Sequence, residues 1–194
     1  MNGLFTACLL AGGKSTRMGR DKAGMPVGEA PLWQHQLATL SRTGAGEILI
    51  SGRAEGCYAG AGIRIVEDEI KDCGPLSGVA AVLEAAAHPL VLGLAIDLPL
   101  MTADYLRCLL GRAFETGAGV VPEQQGRFEG LAAIYPKAAK EPAAATLRGS
   151  DHSMQHFIAA CIGQSLAAPM PVSAEEAPLF QNMNTLGEYL KIVS

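Results

Sequence analysis

Short apolar runs alternate with stretches of helical periodicity along most of the chain. Phe5 to Leu10 predicts a first strand, and Pro31 to Thr43 a helix with Pro31 in its first turn and Trp33, Leu37 and Leu40 on one face. Glu47 to Ser51 and Ile63 to Val66 predict strands, followed by a helix over Pro75 to Ala87 with Leu76, Val79, Ala80 and Leu83 facing inward. Leu90 to Ile96 has no polar alternation, as expected of a central strand covered on both faces. Thr102 is placed to cap a helix carrying Leu106, Leu109 and Leu110. Ala118 to Val121 and Gly130 to Tyr135 read as strands around a polar, turn-like stretch from Pro122 to Glu129. Helices are expected around Ala138 to Leu147 and Ser153 to Cys161, and Thr185 with Glu188 forms a capping box for a last helix. Strands alternating with helices imply an α/β fold: a mostly parallel sheet with helices on both faces.

Composition supports this picture and bounds it. The chain has 194 residues, 49% hydrophobic and only 5% aromatic, so a large core can form from small and aliphatic side chains. No internal repeat or low-complexity linker divides it, and residues 1–194 are expected to form a single domain. The net charge of −4 offers no basic face for nucleic acid. Cys8, Cys57, Cys73, Cys108 and Cys161 are odd in number and lack C-x-x-C spacing, which argues against a disulfide framework or structural zinc site. The N-terminus shows no basic segment leading into an apolar stretch and cleavage site. The most apolar run, Pro89 to Ile96, is too short to span a bilayer. A cytoplasmic protein with no membrane attachment is expected.

The chemistry concentrates after the first strand. Gly12-Gly13 lets the backbone approach a ligand closely and aim N–H groups at an anion. From Lys14 to Lys22, four cations (Lys14, Arg17, Arg20, Lys22) stand against one acid, Asp21, leaving a local +3 in a chain of net −4. A glycine turn with clustered cations suits a polyphosphate. A Walker A loop would need glycine five residues before Gly13, where Cys8 stands. The G-x-G-x-x-G fingerprint fails as well: counted from Gly12 it meets Lys14 and Arg17, and from Gly13 it meets Ser15 and Met18.

Phosphoryl chemistry also calls for a hard, oxygen-seeking Mg²⁺ held by one or two carboxylates. Asp97 follows the central apolar run directly, and Leu98-Pro99 turns the chain away after it. That position puts Asp97 on the rim at the carboxyl ends of the strands, where α/β proteins bind ligands. Asp68 ends another strand and should reach the same rim, with a solvated strand end as the alternative. Gly74-Pro75-Leu76-Ser77-Gly78 opens a helix whose first amides could face an anion.

The string Leu10-Ala11-Gly12-Gly13-Lys14-Ser15-Thr16-Arg17-Met18-Gly19, followed by Asp21-Lys22, resembles the signature loop of nucleotidyltransferases with a three-layer Rossmann-like fold. Pro31-Leu32-Trp33-Gln34-His35, Glu67-Asp68, Gly74 to Gly78, Asp97-Leu98-Pro99 and Phe180-Gln181-Asn182-Met183-Asn184-Thr185 extend the match over almost the whole chain. Together they resemble the molybdenum cofactor guanylyltransferase family, and the F-x-N-x-N-T ending is the more specific part.

The resemblance implies transfer of GMP from GTP to molybdopterin with release of pyrophosphate, assisted by Mg²⁺. It implies that Leu10, Ala11, Gly12, Gly13, Lys14 and Lys22 bind nucleotide, and that Asp68 holds the nucleoside part. Asp97 would bind both nucleotide and Mg²⁺, Arg17 with Lys14 would balance triphosphate charge, and Asn182 and Asn184 would line the acceptor side. Arg17, Lys22 and Asp97 are thereby the candidate catalytic residues. Ser51 stands at a strand end of the nucleotide site where the family often carries Asn. Two further departures fall on the acceptor side. Arg127-Phe128-Glu129-Gly130 stands where a polar residue and Pro are common, and Gly149 to Ser153 where basic residues are common. A carrier protein or recipient molybdoenzyme would suit the handover of a reactive product. His35 reads as a satisfied helix residue. Cytidylyl transfer, transfer to a sugar or alcohol phosphate, and a non-catalytic nucleotide-binding role remain alternatives.

Overall fold

The computed structural model describes residues 4–12, 22–67 and 73–183. The first strand, β1 (Phe5–Leu10), shows why a sheet forms. Phe5, Ala7 and Leu9 enter one apolar cluster while Cys8 enters another on the opposite face, so the twofold alternation of a strand feeds two cores. A two-stranded hairpin, β2 (Pro26–Val27) and β3 (Ala30–Pro31), leads into α1 (Leu32–Ser41). The chain continues through β4 (Glu47–Ser51), β5 (Arg64–Val66), α2 (Pro75–Ala85), β6 (Leu90–Ala95) and α3 (Ala103–Thr116). It then runs through β7 (Gly119–Gln124), β8 (Arg127–Phe128), β9 (Ala132–Pro136), α4 (Lys140–Arg148), α5 (Met154–Gly163) and β10 (Ala167–Pro171).

Among the described residues the main sheet has the order β10-β7-β9-β6-β1-β4-β5, with β8 added on β7. β1 pairs in parallel with both β4 and β6, β4 with β5, and β7 with β10. β9 runs antiparallel to β6 and β7, so its start lies beside the carboxyl ends of its neighbours. Leu32, Leu37, Leu40, Leu106, Leu109 and Leu110 bring α1 and α3 onto one face. Leu76, Val79, Leu83, Ala143, Phe157 and Ile158 bring α2, α4 and α5 onto the other. This is the expected three-layer α/β arrangement.

Among the described residues the expected helices and long strands form, with ends shifted by a few residues. The Thr102 hydroxyl accepts from the Tyr105 N–H as the N-cap of α3. Three elements depart from expectation. The stretch read as a turn from Pro122 continues β7 to Gln124, and a tight turn at Gln125 and Gly126, both at positive φ, returns it as β8. β10 was not expected, because Ala-Ala-Pro-Met-Pro lacks β-branched residues and contains two prolines. It is an edge strand, where a missing N–H is tolerated and discourages further pairing. The β2–β3 hairpin has strands of two residues, too short to leave a periodic signal. The expected last helix from Thr185 lies outside the described residues.

Candidate active site

The site is built on the parallel centre of the sheet. The last ladder pairs set Leu10 beside Ser51 on one side and Ala95 on the other. Beyond them, Ile96 N–H donates to Leu10 O (3.1 Å) and Ala11 N–H donates to Ser51 O (2.8 Å). The chain leaving β1 is thus tied to both neighbouring strand ends before it turns. Ala11 is half-buried and Gly12 exposed, and a Cβ placed on Gly12 would meet nothing within 4 Å. Leu10 and Ala11 are therefore tied into the sheet, and Gly12 is the exposed point at which the chain reaches the rim.

Lys22 re-enters this space from a 3₁₀ turn, Lys22–Gly24, packed against α1. Its Nζ lies 3.5 Å from Asp97 Oδ2, and the two side chains keep 16% and 25% of their surface exposed. The pair is sheltered enough to limit screening and open enough to meet a ligand. Among the described residues, Lys22 is the only side-chain partner of the Asp97 carboxylate. Most of that carboxylate's capacity to accept hydrogen bonds or bind a cation is left unused by the described side chains.

The turn that presents Asp97 is held from three directions. Ala95 N–H donates to Leu131 O (2.7 Å) at the start of the antiparallel β9. Met183 N–H donates to Asp97 O (2.8 Å), which brings the adjacent, exposed Asn182 to the same turn. The Phe180 ring anchors this segment edge-on against Tyr105 of α3, with centroids 5.4 Å apart. From α1, Gln36 donates to Leu98 O (2.8 Å) and Ala95 O (3.2 Å), and His35 Nε2 lies 3.1 Å from Pro99 O. His35 is thus a satisfied helix residue, as expected.

Ser51 joins the loop after β1 to the start of α2. Its side chain is buried, and a Cβ on Gly78 would fall 2.7 Å from its Oγ. Glycine at 78 lets the first turns of α2 approach the end of β4 closely, so the N-terminus of α2 arrives at the rim. Ser51 meets the loop through its carbonyl and α2 through its hydroxyl.

The structure therefore brings Leu10, Ala11, Gly12, Lys22, Ser51, Asp97 and Asn182 to one edge of the sheet. Gly13, Lys14, Arg17, Asp68 and Asn184 lie outside the described residues. Gln36 was not anticipated. The available signal was an amide on the face of α1 that also buries Leu32, Leu37 and Leu40.

Two of the thiols are buried away from the rim. Burial pushes Cys8 up to about 12, a shift that the Ser51 backbone hydrogen bond opposes only in part, and burial pushes Cys161 up to about 12. Both stay protonated and unreactive at neutral pH. Among the described residues none of the five cysteines is in a disulfide. Among the described residues no group of three or more His, Cys, Asp or Glu side chains could hold a metal by itself. An ion at Asp97 would take most of its oxygens from phosphate and water, which is how Mg²⁺ is commonly bound with a nucleotide. No described helix is long and apolar enough to cross a membrane.

Comparison with known proteins gives this arrangement its family. Residues 7–166 match the model of the MobA-like NTP transferase domain. A probable molybdenum cofactor guanylyltransferase of Opitutus terrae is 38% identical over 183 residues, covering 93% of this chain and 90% of that protein. One from Mycobacterium avium is 32% identical over 182 residues, covering 91% and 89%. Molybdopterin-guanine dinucleotide biosynthesis protein A from Archaeoglobus fulgidus shares the fold with a TM-score of 0.79 at 20% identity, covering 97% and 96% of the two chains. The 2-C-methyl-D-erythritol 4-phosphate cytidylyltransferase of Thermus thermophilus also shares it, with a TM-score of 0.68 at 19% identity and 95% of each chain covered. A family model spanning most of the chain, and relatives alike over nine-tenths of it, make this chain a nucleotidyltransferase of the MobA-like NTP transferase family, among the molybdenum cofactor guanylyltransferases.

Proposed function

We propose that residues 1–194 act as one nucleotidyltransferase domain that transfers GMP from GTP to molybdopterin, releasing pyrophosphate and forming a molybdopterin guanine dinucleotide. The observation that carries this reading is the meeting of Lys22 and Asp97 at the strand ends where the chain leaves β1 through the exposed Gly12. Family membership supports GTP and molybdopterin as the two substrates.

In this reading a phosphate oxygen of molybdopterin attacks the α-phosphorus of GTP in line. The new oxygen–phosphorus bond forms as the bond to pyrophosphate breaks, and no protein nucleophile is needed. The protein contributes positioning and electrostatics. Leu10, Ala11, Gly12 and Gly13 cradle the nucleotide by their backbone. Ser51 fixes the start of that loop through its carbonyl, and Asp68 holds the nucleoside. Lys14, Arg17 and Lys22 face the charge that develops on the phosphates. Asp97 orients the α-phosphate region and is the residue that would hold Mg²⁺, whose bound form polarises phosphate oxygens. Asn182 and Asn184 line the acceptor side, a reading supported for Asn182 by the bond from its neighbour Met183 N–H to Asp97 O.

The same reading keeps the protein in the cytoplasm, away from membranes and nucleic acid, where cysteines outside disulfides stay reduced. A carrier or recipient molybdoenzyme would take the product directly.

The test is pyrophosphate release from each nucleoside triphosphate with Mg²⁺ and molybdopterin. Release with GTP alone supports the reading. Release with CTP would move the protein to cytidylyl transfer, and binding of GTP without release would reduce it to a nucleotide-binding accessory. Thermal shifts by GTP over the other nucleotides provide an independent check, since a ligand that binds only the folded state stabilises it by mass action.

A further inference from the structure

The side chain of Gln36 is wholly buried in α1, 61 positions before Asp97 in the chain, yet it is bonded to the turn that carries that residue. Its Nε2 donates to Leu98 O at 2.8 Å and Ala95 O at 3.2 Å, with Ile96 O at 3.5 Å. These carbonyls flank Asp97 on both sides. Two amide hydrogens converge on three backbone oxygens, so the helix grips the turn as a unit.

Packing alone does not account for this side chain. The other amide atom, Gln36 Oε1, is buried without a hydrogen-bond partner. An orphaned buried acceptor is costly, and an aliphatic residue at this point of the apolar face would avoid that cost. Local costs of this kind persist where surrounding structure must hold a functional geometry. The ring nitrogen of His35 beside Pro99 O and the Met183 N–H on Asp97 O hold the outer parts of the same turn. Gln36 supplies the only described side-chain bonds to Ala95 and Leu98.

We infer that Gln36 is a positioning residue for the Asp97 carboxylate: by holding the carbonyls on either side, it fixes the direction in which Asp97 faces the triphosphate and its ion. This inference rests on the proposed role of Asp97. Gln36 touches no substrate and acts only through the turn.

The test compares Gln36→Met, which keeps length and volume but removes the donors, with Gln36→Glu, which sets acceptors against the carbonyls. Both are expected to lower kcat about tenfold to a hundredfold, as misplacement of a reacting group by an ångström or less does. The KM for GTP should change much less, and the Mg²⁺ concentration giving half-maximal rate should rise. A side chain that merely fills space would move thermal stability and leave kcat and Mg²⁺ dependence at wild-type values, and that result would overturn the inference. A second measurement uses the protein with Gln36 intact. The Gln36 side-chain NH₂ resonances should shift when Mg²⁺ and a non-hydrolysable GTP analogue bind, and this shift should be lost in Asp97→Asn. Should neither Gln36 variant fold, this measurement decides, and unmoved resonances would sink the proposal. Full activity in Asp97→Asn would instead remove the underlying reading of Asp97. An inactive Asp97→Asn beside a fully active Gln36→Met removes the role of Gln36 alone.

Discussion

Two carboxylates stand at opposite edges of the parallel sheet and are treated differently by the protein. Glu47 begins β4, at the edge away from the ligand rim. Its Oε2 accepts from the Thr6 hydroxyl at 2.7 Å and the Ala87 N–H at 2.8 Å, and Thr6 Oγ1 in turn accepts from the His88 N–H. Burial works against its charge, but the Ala87 and Thr6 hydrogen bonds, with Arg64 and His88 nearby, outweigh it and hold the carboxyl below its ordinary value. Asp97 follows β6 at the other edge, and among the described residues one lysine at 3.5 Å is its whole side-chain complement. An acid that the fold uses is surrounded by donors. Asp97, the acid proposed to serve a ligand, sits on a turn anchored through its backbone, at Met183, Leu98 and Ala95, and its carboxylate meets one described side chain.

The comparison breaks first, and most severely, at Asp97. Asp97→Ala is expected to lower kcat/KM about 10³-fold, the scale seen when a group that stabilises developing charge is removed. The protein should stay folded, because the turn is held by main-chain and Gln36 bonds that do not use the Asp97 side chain. Steady-state pyrophosphate release and a thermal melt check both statements, and near-normal turnover would disprove the role of Asp97.

Lys22→Ala should cost about 10²-fold in kcat/KM, since it removes a cation from the phosphates and leaves Asp97 without its partner. GTP binding measured by titration calorimetry should weaken along with turnover. Unchanged KM and kcat would take Lys22 out of the site.

Much of this difference between the two edges was legible in the chain. Asp97 could be placed because an unbroken apolar run must be a covered strand, and a charged residue can follow such a run only where the sheet ends. The loop at Leu10 to Gly12 could be placed because glycine pairs and clustered cations have few uses besides anions. The donors around Glu47 could not be foreseen. Thr6 lies in β1 and Ala87 in the loop before β6, and the registers of β4 and β6 on β1 together bring them to Glu47. Gln36 escaped for the same reason: its partners lie about sixty positions away. β10 and the two-residue β8 escaped because each pairs on one side only and carries weak periodicity, and β10 holds two prolines. The acceptor half of the sheet was thus less legible than the nucleotide half, and there the antiparallel β9 reverses the simple rule that sites follow strand ends.

Asn182 tests that less legible half. Asn182→Ala should raise the KM for molybdopterin about tenfold, the cost of one or two hydrogen bonds to a charged or polar ligand, and leave the KM for GTP unchanged. Equal losses toward both substrates would show that Asn182 acts by supporting the Asp97 turn through Met183, and would move it from the acceptor to the nucleotide side.

The smallest effect belongs to the other edge. Glu47→Gln should leave kcat and both KM values at wild-type levels, because Glu47 is remote from the rim. It should cost about 1 kcal/mol of stability at neutral pH, the low end for hydrogen bonds to a charge that solvent partly screens. For a chain of this length that is a fall in Tm of about 2–4 °C. The sign with pH follows from the direction of the shift. A carboxyl held below its ordinary value of 4.5 in the folded state stabilises the fold fully above that value. The contribution is lost as pH falls through the depressed folded value, where wild type and variant both carry a neutral group. Melting curves from pH 7 down through the acid range should therefore converge. A Tm gap that persisted unchanged in acid would mean that Glu47 acts by packing rather than by charge, and a loss of turnover in Glu47→Gln would erase the distinction between the two edges.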